Sequence, residues 1–456
     1  MSSGSENIKF HHALNVNDDL CTGCTHCMTV CPTQAIRITG GKARIREERC
    51  VDCGLCYKSC PVSAIFVEQD DFNDIFKFSV RVALIPSVLF GQFESRIPVA
   101  AIYQAIKNIG FTHVLEVENL CGTISEGYDR FTVKNPSVRP AISPYCPAIV
   151  RLIQVKFPSL TGNIIRVKPP TDSAAAYLRK KFAEQGGDPG AVGLFYVTPC
   201  ASKIASVKSP VGETASLING VINMDFLFNR ITKALREMNS DQEWKDRDPH
   251  PSPENILWSL TRGESAGRKG RTLAVDGIRN VSEFLEQLEE SEQSDLDFLE
   301  LRACDESCAG GILICRNRFL AVERLNERAE AAAGESRESG TESTGIKEPY
   351  NHNDYRLGPI EPRSMVKLDD NITEAIRKMD KVEQLLRVLP GIDCGACGAP
   401  TCRALAEDIV QGHGTVSHCI FVQEWEIRSG RLSLEEADRI NSSVWGEMRN
   451  RRSQKG

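Results

Sequence analysis

Four cysteines in three separated loops of this chain are suited to hold an iron-sulfur cluster. The loops are Pro144-Tyr145-Cys146-Pro147, Pro199-Cys200-Ala201-Ser202-Lys203 and Cys304-Asp305-Glu306-Ser307-Cys308. A cubane 4Fe-4S cluster takes four thiolates, and only a folded domain brings together loops so far apart in sequence. Tyr145 stands beside the first thiolate, so we expect it to influence what a cluster there can do.

Eight more cysteines form a repeat near the N-terminus. The run Cys21-x2-Cys24-x2-Cys27-x3-Cys31-Pro recurs with every cysteine displaced by 29 residues. Zinc favours CxxC pairs separated by a longer loop, so the spacing favours iron-sulfur clusters over zinc. The pattern resembles the bacterial two-cluster ferredoxin, in which the fourth cysteine of each run binds the other cluster. The resemblance implies the ligand sets Cys21, Cys24, Cys27, Cys60 (cluster 1) and Cys50, Cys53, Cys56, Cys31 (cluster 2). His26 lies inside the first run and is expected to face solvent.

A last group of cysteines lies near the C-terminus, as Cys394-x2-Cys397-x4-Cys402 followed by Cys419. It resembles the four-cysteine module of corrinoid iron-sulfur proteins and of a membrane redox complex, which implies a further 4Fe-4S cluster, with zinc as the alternative. Cys402 is expected to open a helix over 403–410, whose N-terminal dipole favours an anionic cluster.

The sequence around the central cysteines predicts an α/β domain, whose strands and helices must position them. The pattern predicts a strand over 78–84, a helix over 99–109 that ends at Gly110, and a strand over 111–117. Further predicted strands, over 192–197 and 296–301, run directly into the loops of Cys200 and Cys304. Ligands bind beyond the carboxyl ends of strands in open α/β sheets, so both loops are where a cofactor is expected.

The three loops resemble the signature loops of the FeFe-hydrogenase catalytic domain, over about residues 75–330. The resemblance implies that Cys146, Cys200, Cys304 and Cys308 bind a cubane (cluster 3, H-cluster-like). It also implies that Cys308 bridges to a two-iron subcluster and that Lys203 donates to a cyanide ligand of that subcluster. A fixed ammonium in a dry pocket stabilises an anionic ligand strongly, whereas the alternative is a surface lysine after a metal loop.

The chain departs from hydrogen-producing members at the proton path. Tyr145 replaces the cysteine that passes protons to the diiron site, and a phenol with a pKa near ~10 is a poorer shuttle than a thiol near ~8.5. Two relay glutamates, a relay serine and two shielding methionines are replaced by Gly127, Arg130, Ile165, Thr198 and Arg302. Glu126 and Asp129 lie close by and are interpreted as surface carboxylates. These departures resemble the sensory branch of the family.

Composition sets further limits. The chain has 456 residues and a net charge of -6 with mixed signs, which gives no electrostatic case for nucleic acid. No segment approaches the ~20 apolar residues of a spanning helix, so no membrane span and a cytoplasmic location are expected. Cysteines spaced for metal also favour a reducing compartment, as in an anaerobe. Cys121 and Cys315 belong to none of the expected clusters and are interpreted as buried apolar residues.

The predicted fold class is a multidomain α/β protein. It comprises an α+β two-cluster ferredoxin-like domain, a central α/β FeFe-hydrogenase-like domain and a small helical 4Fe-4S domain. The expected boundaries are a flexible N-terminus (1–14), the ferredoxin domain (15–72), the hydrogenase-like domain (73–325), a flexible linker (326–365), the C-terminal cluster domain (366–430), and a helix with a basic tail (431–456).

Three functions follow as hypotheses. The leading one is a sensory or regulatory hydrogenase-like protein that reads hydrogen or redox state at an H-cluster-like site. Four 4Fe-4S clusters would relay electrons to a redox or signalling partner in trans. The alternatives are a cubane-only protein of electron transfer or iron-sulfur assembly, and a low-activity hydrogenase oxidoreductase with a different proton path.

Overall fold

A computed structural model describes residues 10–238, 249–290, 295–339, 346–363, 368–369 and 371–447, with the side chains of 335–339 excepted. The strands in chain order are β1 (Leu14–Val16), β2 (Ile36–Thr39), β3 (Lys42–Ile45), β4 (Ile65–Val67), β5 (Val80–Ile85), β6 (His113–Glu116), β7 (Ala141–Ile142), β8 (Val192–Thr198), β9 (Gly220–Asn223), β10 (Thr272–Val275) and β11 (Phe298–Leu301).

The α-helices, also in chain order, are α1 (His26–Val30), α2 (Leu55–Ser59), α3 (Val99–Ile109), α4 (Cys121–Lys134), α5 (Pro147–Lys156), α6 (Pro170–Glu184), α7 (Ala201–Lys208), α8 (Met224–Glu237), α9 (Pro253–Ile256), α10 (Ile278–Glu290), α11 (Arg318–Ser339), α12 (His352–Tyr355), α13 (Ile372–Val388), α14 (Cys402–Val410), α15 (Ile420–Arg428) and α16 (Leu434–Trp445). The chain divides into two compact units. Unit 1 is 1–13, 51–53 and 68–362, and unit 2 is 14–50, 54–67 and 363–456.

Unit 1 contains two parallel sheets. One has the strand order β6-β5-β8-β9 and the other β10-β11-β7. The strand β8 is buried along its whole length, as expected for a parallel strand covered on both faces. The helix α3 starts after Pro98 and stops at Gly110, which has φ 133°, as its sequence predicts. The predicted strands over 192–197 and 296–301 correspond to β8 and β11.

Unit 2 joins the ferredoxin-like residues to the C-terminal ones. The strands β1 and β4 pair antiparallel, as do β2 and β3, and the short helices α1 and α2 each lie within a cysteine run. The C-terminal helices share this unit: Gly40 and Gly41 donate backbone hydrogen bonds to the carbonyls of Ser443 and Val444. A capping box of Ser433 and Glu436 is present at the start of α16.

Two segments predicted to be flexible have ordered parts. Residues 10–14 of the predicted flexible N-terminus (1–14) are in place, since the Ala13 N–H donates to Asp52 Oδ1 at 3.0 Å and Leu14 begins β1. The predicted linker (326–365) is helical to Ser339 because its Ala and Glu residues favour helix. Tyr355, which follows, is fully buried. The basic tail, 449–455, lies outside the described residues.

Candidate functional site

The four central cysteines all follow strands of unit 1. Cys146 comes four residues after β7 and is the N-cap of α5, while Cys200 comes two residues after β8 and is the N-cap of α7. Cys304 and Cys308 follow β11. The parallel sheets therefore direct these loops beyond their carboxyl ends, where the sequence predicts a ligand.

The loop of Cys308 is held against the loop of Cys200. The Leu313 N–H donates to the Pro199 carbonyl at 3.0 Å, and a Cβ at Gly311 would lie 2.5 Å from that carbonyl oxygen. Only glycine allows this approach, which explains the Gly310-Gly311 pair after Cys308. The glycines thus bring two distant cysteine loops together.

The electrostatics of the cysteines fit a metal cluster. Burial raises the pKa of both Cys146 and Cys200, and the negative charge of Cys308 raises it further in both. A thiol whose pKa is raised by a neighbouring thiolate lies close to it and needs a cation to remain deprotonated. Cys200 Sγ also lies 3.3 Å from the Ser202 hydroxyl, a hydrogen-bond donor of the kind that stabilises ligated sulfur. These residues can hold a cubane.

Tyr145 and Lys203 lie directly against Cys308. The Tyr145 hydroxyl is 3.5 Å from Cys308 Sγ, and Lys203 Nζ is 3.9 Å from the same sulfur. Lys203 Nζ donates to the Tyr196 hydroxyl at 3.1 Å and to the Tyr145 hydroxyl at 3.5 Å. Lys203 is 6% exposed, so it is not a surface lysine. Burial alone would lower the pKa of Lys203, but the charge of Cys308 holds it well above its usual value.

Arg302 fixes the ring of Tyr145 from the other side. Its guanidinium carbon lies 3.7 Å from the centre of that ring, a cation-π contact inside a buried site. Glu264 and Glu300 bind the guanidinium at 2.9 and 3.4 Å, and Arg302 is 2% exposed. Burial would lower the pKa of Arg302, but the two carboxylates raise it, so the side chain stays charged and in place.

The buried Arg302-Glu264-Glu300 group was missed as a unit by sequence reasoning, which named only Arg302. Glu264 precedes β10 and Glu300 lies within β11, so no local spacing relates them. The sequence does contain one indication of this group: Glu300 is a charged residue inside the apolar strand β11, shortly before Arg302. A charge at such a position needs a buried partner.

Tyr145 and Lys203 lie on the side of Cys308 where the family resemblance expects a diiron group. The Tyr145 hydroxyl lies 3.5 Å from the sulfur that would bridge to such a group, and Lys203 donates to two phenols. Tyr145 is 3% exposed, and Arg302 contacts its ring, so a diiron group beside Cys308 would have to displace a packed side chain.

The structure places the residues that the resemblance assigns to the proton path. Gly127 is buried, and a Cβ there would lie 2.5 Å from the ring of Tyr350, so this tyrosine occupies the space that a larger side chain would need. Ile165 is fully buried, and Thr198 hydrogen-bonds within its own loop. Arg130 is exposed and pairs with Glu126.

The remaining residues singled out by the sequence are also placed by the structure. Asp129 is 70% exposed and pairs with Arg268 at 3.0 Å, as expected for a surface carboxylate. Cys121 is fully buried as predicted, but Cys315 is only partly buried, with its backbone N–H bonded to Gln92.

Unit 2 contains cysteines of both N-terminal runs, whereas Cys53 belongs to unit 1. Burial raises the pKa of Cys27 to about 12, and the charges of Cys24, Cys21 and Cys60 add to this effect. Cys60 comes from the second run, so this group has the crossed composition of cluster 1. In the second run, Cys50 and Cys56 are buried and also belong to this unit.

The C-terminal cysteines surround a small cavity. It is lined by Cys394, Cys397, Cys402 and Cys419. Cys402 is the first residue of α14, as predicted, and its N–H donates to Asp393 at 2.7 Å. Four thiols around one cavity suit a cubane.

The C-terminal cysteines lie next to the ferredoxin-like ones inside unit 2. A Cβ at Gly395 would lie 2.9 Å from Met28 Cε. Gly395 follows Cys394, and Met28 follows Cys27. At this point, the Met28 side chain lies between the C-terminal cysteines and those of the first N-terminal run.

Three family models match separate segments of the chain. Residues 13–61 match the 4Fe-4S dicluster domain, and residues 389–421 match the putative Fe-S cluster family. Residues 78–250 match the iron only hydrogenase large subunit, C-terminal domain. That range includes Cys146 and Cys200, whereas Cys304 and Cys308 follow it.

Known proteins are similar to parts of the chain. A component of the ion-translocating oxidoreductase complex of Rhodobacter capsulatus is 47% identical over 38 residues, 8% of this chain and 20% of that protein. The chain thus spans about a fifth of the length of the curated relatives it matches. Among the described residues, no helix is long and apolar enough to cross a bilayer.

Solved structures of FeFe-hydrogenases are also similar. A variant of HydA1 from Chlamydomonas reinhardtii is 14% identical, with 64% of this chain and 96% of that chain covered and a TM-score of 0.47. The HydA(deltaEFG) structure, described as a step of H-cluster assembly, is 12% identical, with 64% and 96% covered and a TM-score of 0.47. The family matches confirm the predicted fold class: a segment that matches the iron only hydrogenase domain lies between one that matches a 4Fe-4S dicluster domain and one that matches an Fe-S cluster family.

Proposed function

We propose that this protein is an iron-sulfur electron-transfer protein whose hydrogenase-like site holds a cubane and has no diiron subcluster. The observation that carries the proposal is the contact of the Tyr145 hydroxyl with Cys308 Sγ at 3.5 Å. The sulfur that would bridge to a diiron group is covered by a phenol. This favours the cubane-only alternative over the sensory interpretation that the sequence suggested first.

The surroundings of Tyr145 support this choice. Displacing the phenol would break the stacking on Arg302 and leave that buried guanidinium beside an open space. Lys203 would also lose its Tyr145 contact. A buried charge that loses its contacts is costly, so the arrangement resists opening.

The proposed cubanes take the ligand sets expected from the sequence. They are Cys21, Cys24, Cys27 and Cys60; Cys50, Cys53, Cys56 and Cys31; Cys146, Cys200, Cys304 and Cys308; and Cys394, Cys397, Cys402 and Cys419. The close approach of Met28 to Gly395 supports electron transfer between the first and the last of these. The electrons would pass to a redox partner in trans, in the cytoplasm.

Iron counting and infrared spectroscopy test the proposal together. Four cubanes give about 16 irons per chain, and a diiron group raises this to about 18. The protein should be incubated with a synthetic diiron cofactor before the infrared measurement. We expect no carbonyl or cyanide bands in the wild type. Such bands at full occupancy would contradict the proposal.

A second candidate is the sensory or regulatory hydrogenase-like protein. It is favoured by Lys203, whose Nζ lies 3.9 Å from Cys308 Sγ, and by a small cavity lined by Tyr145, Tyr196 and Lys203. Infrared bands without hydrogen-dependent dye reduction would support this function. Bands with rapid dye reduction would instead support a hydrogenase with another proton path.

A further inference from the structure

A basic cavity lies in unit 1, and the proposed function makes no use of it. It has a volume of about 260 Å³, near the lower end of the range for small-molecule pockets, and it is open to solvent. One wall is the end of α4, with Gly127, Arg130, Phe131 and Lys134. The opposite wall is formed by Arg166, Val167, Tyr350, His352 and Arg356. None of the cysteines assigned to clusters lines it.

Backbone pairing builds the second wall. The Lys168 N–H donates to the Tyr355 carbonyl at 2.8 Å, and the Leu357 N–H donates to the Arg166 carbonyl at 3.2 Å. These bonds form a bridge between Val167 and Arg356. The bridge holds Arg166 and Arg356 at the same edge of the cavity, although they are far apart in sequence.

The lining is strongly cationic. Arg130, Lys134, Arg166 and Arg356 contribute four positive charges, and no carboxylate lines the cavity among the described residues. Arg130 pairs with Glu126, which lies outside the lining. In the described part of the chain, no carboxylate lies within ion-pair distance of Lys134, Arg166 or Arg356. Converging cations without counter-charges form a positive potential that attracts a multivalent anion.

Aromatic side chains line the same cavity. Phe131 and Tyr350 both contribute, and the guanidinium carbon of Arg130 lies 5.6 Å from the centre of the Tyr350 ring. Tyr350 is 7% exposed and is packed against Gly127, so its ring is held in place. A flat ring on a ligand can stack on such groups, while its phosphates contact the guanidinium forks.

We propose that this cavity binds a nucleotide with at least two phosphates. Arg166, Arg356 and Lys134 would bind the phosphates, and Phe131 and Tyr350 would contact the base. An inorganic polyphosphate shares the charge but lacks the ring. The aromatic lining therefore favours the nucleotide.

Isothermal titration calorimetry on the cluster-loaded full chain tests this inference, with ADP, NADH and pyrophosphate as probes. We expect ADP or NADH to bind, and the double variant Arg166→Gln/Arg356→Gln to weaken that binding at least about tenfold. Arg236→Gln is the matched control, because Arg236 is an exposed arginine on α8 outside the cavity. It should leave binding unchanged.

Two further measurements separate the ring from the charge. The variant Phe131→Leu should weaken ADP or NADH binding and leave pyrophosphate binding unchanged. Nucleotide binding should also weaken steadily with added salt, as expected for several phosphate contacts. The proposal is overturned if neither nucleotide binds, or if the double variant binds nucleotide as tightly as Arg236→Gln does. It is also overturned if pyrophosphate binds as tightly as ADP and NADH while Phe131→Leu has no effect on nucleotide binding. None of these outcomes depends on the iron content at Cys308.

Discussion

The chemistry available at Cys308 depends on three side chains that surround its sulfur. Tyr145 and Lys203 lie within 3.9 Å of the sulfur, and Arg302 holds the Tyr145 ring. A hydroxyl and an ammonium near a cluster thiolate stabilise the reduced, more negative state of the cluster. Residues that replace a proton path can therefore tune an electron carrier.

The variant Tyr145→Phe tests this tuning. Loss of the hydroxyl removes one donor to Cys308 Sγ, so the midpoint potential of the central cluster should fall by about 50 mV, from a hydrogen bond to a charged group. A potentiometric titration followed by electron paramagnetic resonance measures this value. Tyr128→Phe is the matched control, because Tyr128 is a buried phenol bonded to Glu264. An unchanged potential in Tyr145→Phe would show that the hydroxyl does not act on the cluster.

Residue types and spacing predicted the cysteine groups because cluster ligands repeat locally. The run that starts at Cys21 needs no tertiary information to be identified. The orientation of Tyr145 was not predictable, since it depends on Arg302 and Glu264, which come from other parts of the chain. Sequence alone could show that Tyr145 stands where the family resemblance expects a relay cysteine, but not that its hydroxyl lies against Cys308.

At the scale of elements, the segment after α11 does more than connect domains. Tyr350 packs on Gly127 of α4, and Tyr355 and Leu357 pair with 166–168. The segment has no apolar periodicity, which is why it resembled a linker in the sequence. Its order comes from long-range contacts of a few residues, and local patterns do not report such contacts.

Two glycines of α4 give a matched pair of substitutions. Gly127→Ala places a methyl group 2.5 Å from the Tyr350 ring, so it should lower the free energy of unfolding by about 1–3 kcal/mol. Gly122→Ala meets no atom within 4 Å, and alanine favours helix, so it should be neutral or raise that energy by up to about 1 kcal/mol. Thermal unfolding of both variants measures the difference. Equal effects of the two substitutions would mean that Tyr350 does not pack there.

In the helix α13, the sequence pattern predicts more burial than the structure shows. Its apolar residues Ile372, Ile376, Met379, Val382 and Leu386 recur at helical spacing, a pattern typical of a buried face. Val382 is 2% exposed and belongs to the core of the C-terminal module, but Ile372 is 79% and Met379 is 57% exposed. Periodicity gave the helix correctly, but how much of the face is covered depends on the neighbouring elements.

A buried ion pair joins α14 to the ferredoxin-like hairpin within unit 2. Arg37 Nε lies 2.6 Å from Asp408 Oδ2, and the side chains are 5% and 11% exposed. Asp408→Asn leaves the guanidinium without its counter-charge, so it should cost roughly 3–5 kcal/mol of stability. Glu383→Gln, which removes an exposed pair with Arg403, should cost at most about 1 kcal/mol. The urea concentration at which half of the cluster absorbance is lost measures the stability of each variant. The same midpoint in both variants would show that the buried pair does not stabilise unit 2.

At the scale of the whole molecule, sequence order and spatial grouping differ. The ferredoxin-like residues and the C-terminal module are at opposite ends of the chain, yet they form one compact unit. Motif order predicts which cofactors a chain holds, but it does not predict which modules pack together. The approach of Met28 to Gly395 is a consequence of this packing.

The number of clusters follows from which cysteines are ligands, and two cysteine variants test it. Cys402→Ala removes a proposed ligand at the start of α14, so the protein should lose about 4 irons and accept about one electron fewer in a dithionite titration. Cys315→Ala removes a cysteine outside all four proposed sets and should change neither value. The clusters of the other cysteines should remain in Cys402→Ala, because their ligands are separate. If Cys315→Ala also lost iron, the proposed ligand sets would have to include Cys315. If Cys402→Ala kept its iron, a ligand other than Cys402 would complete the C-terminal site.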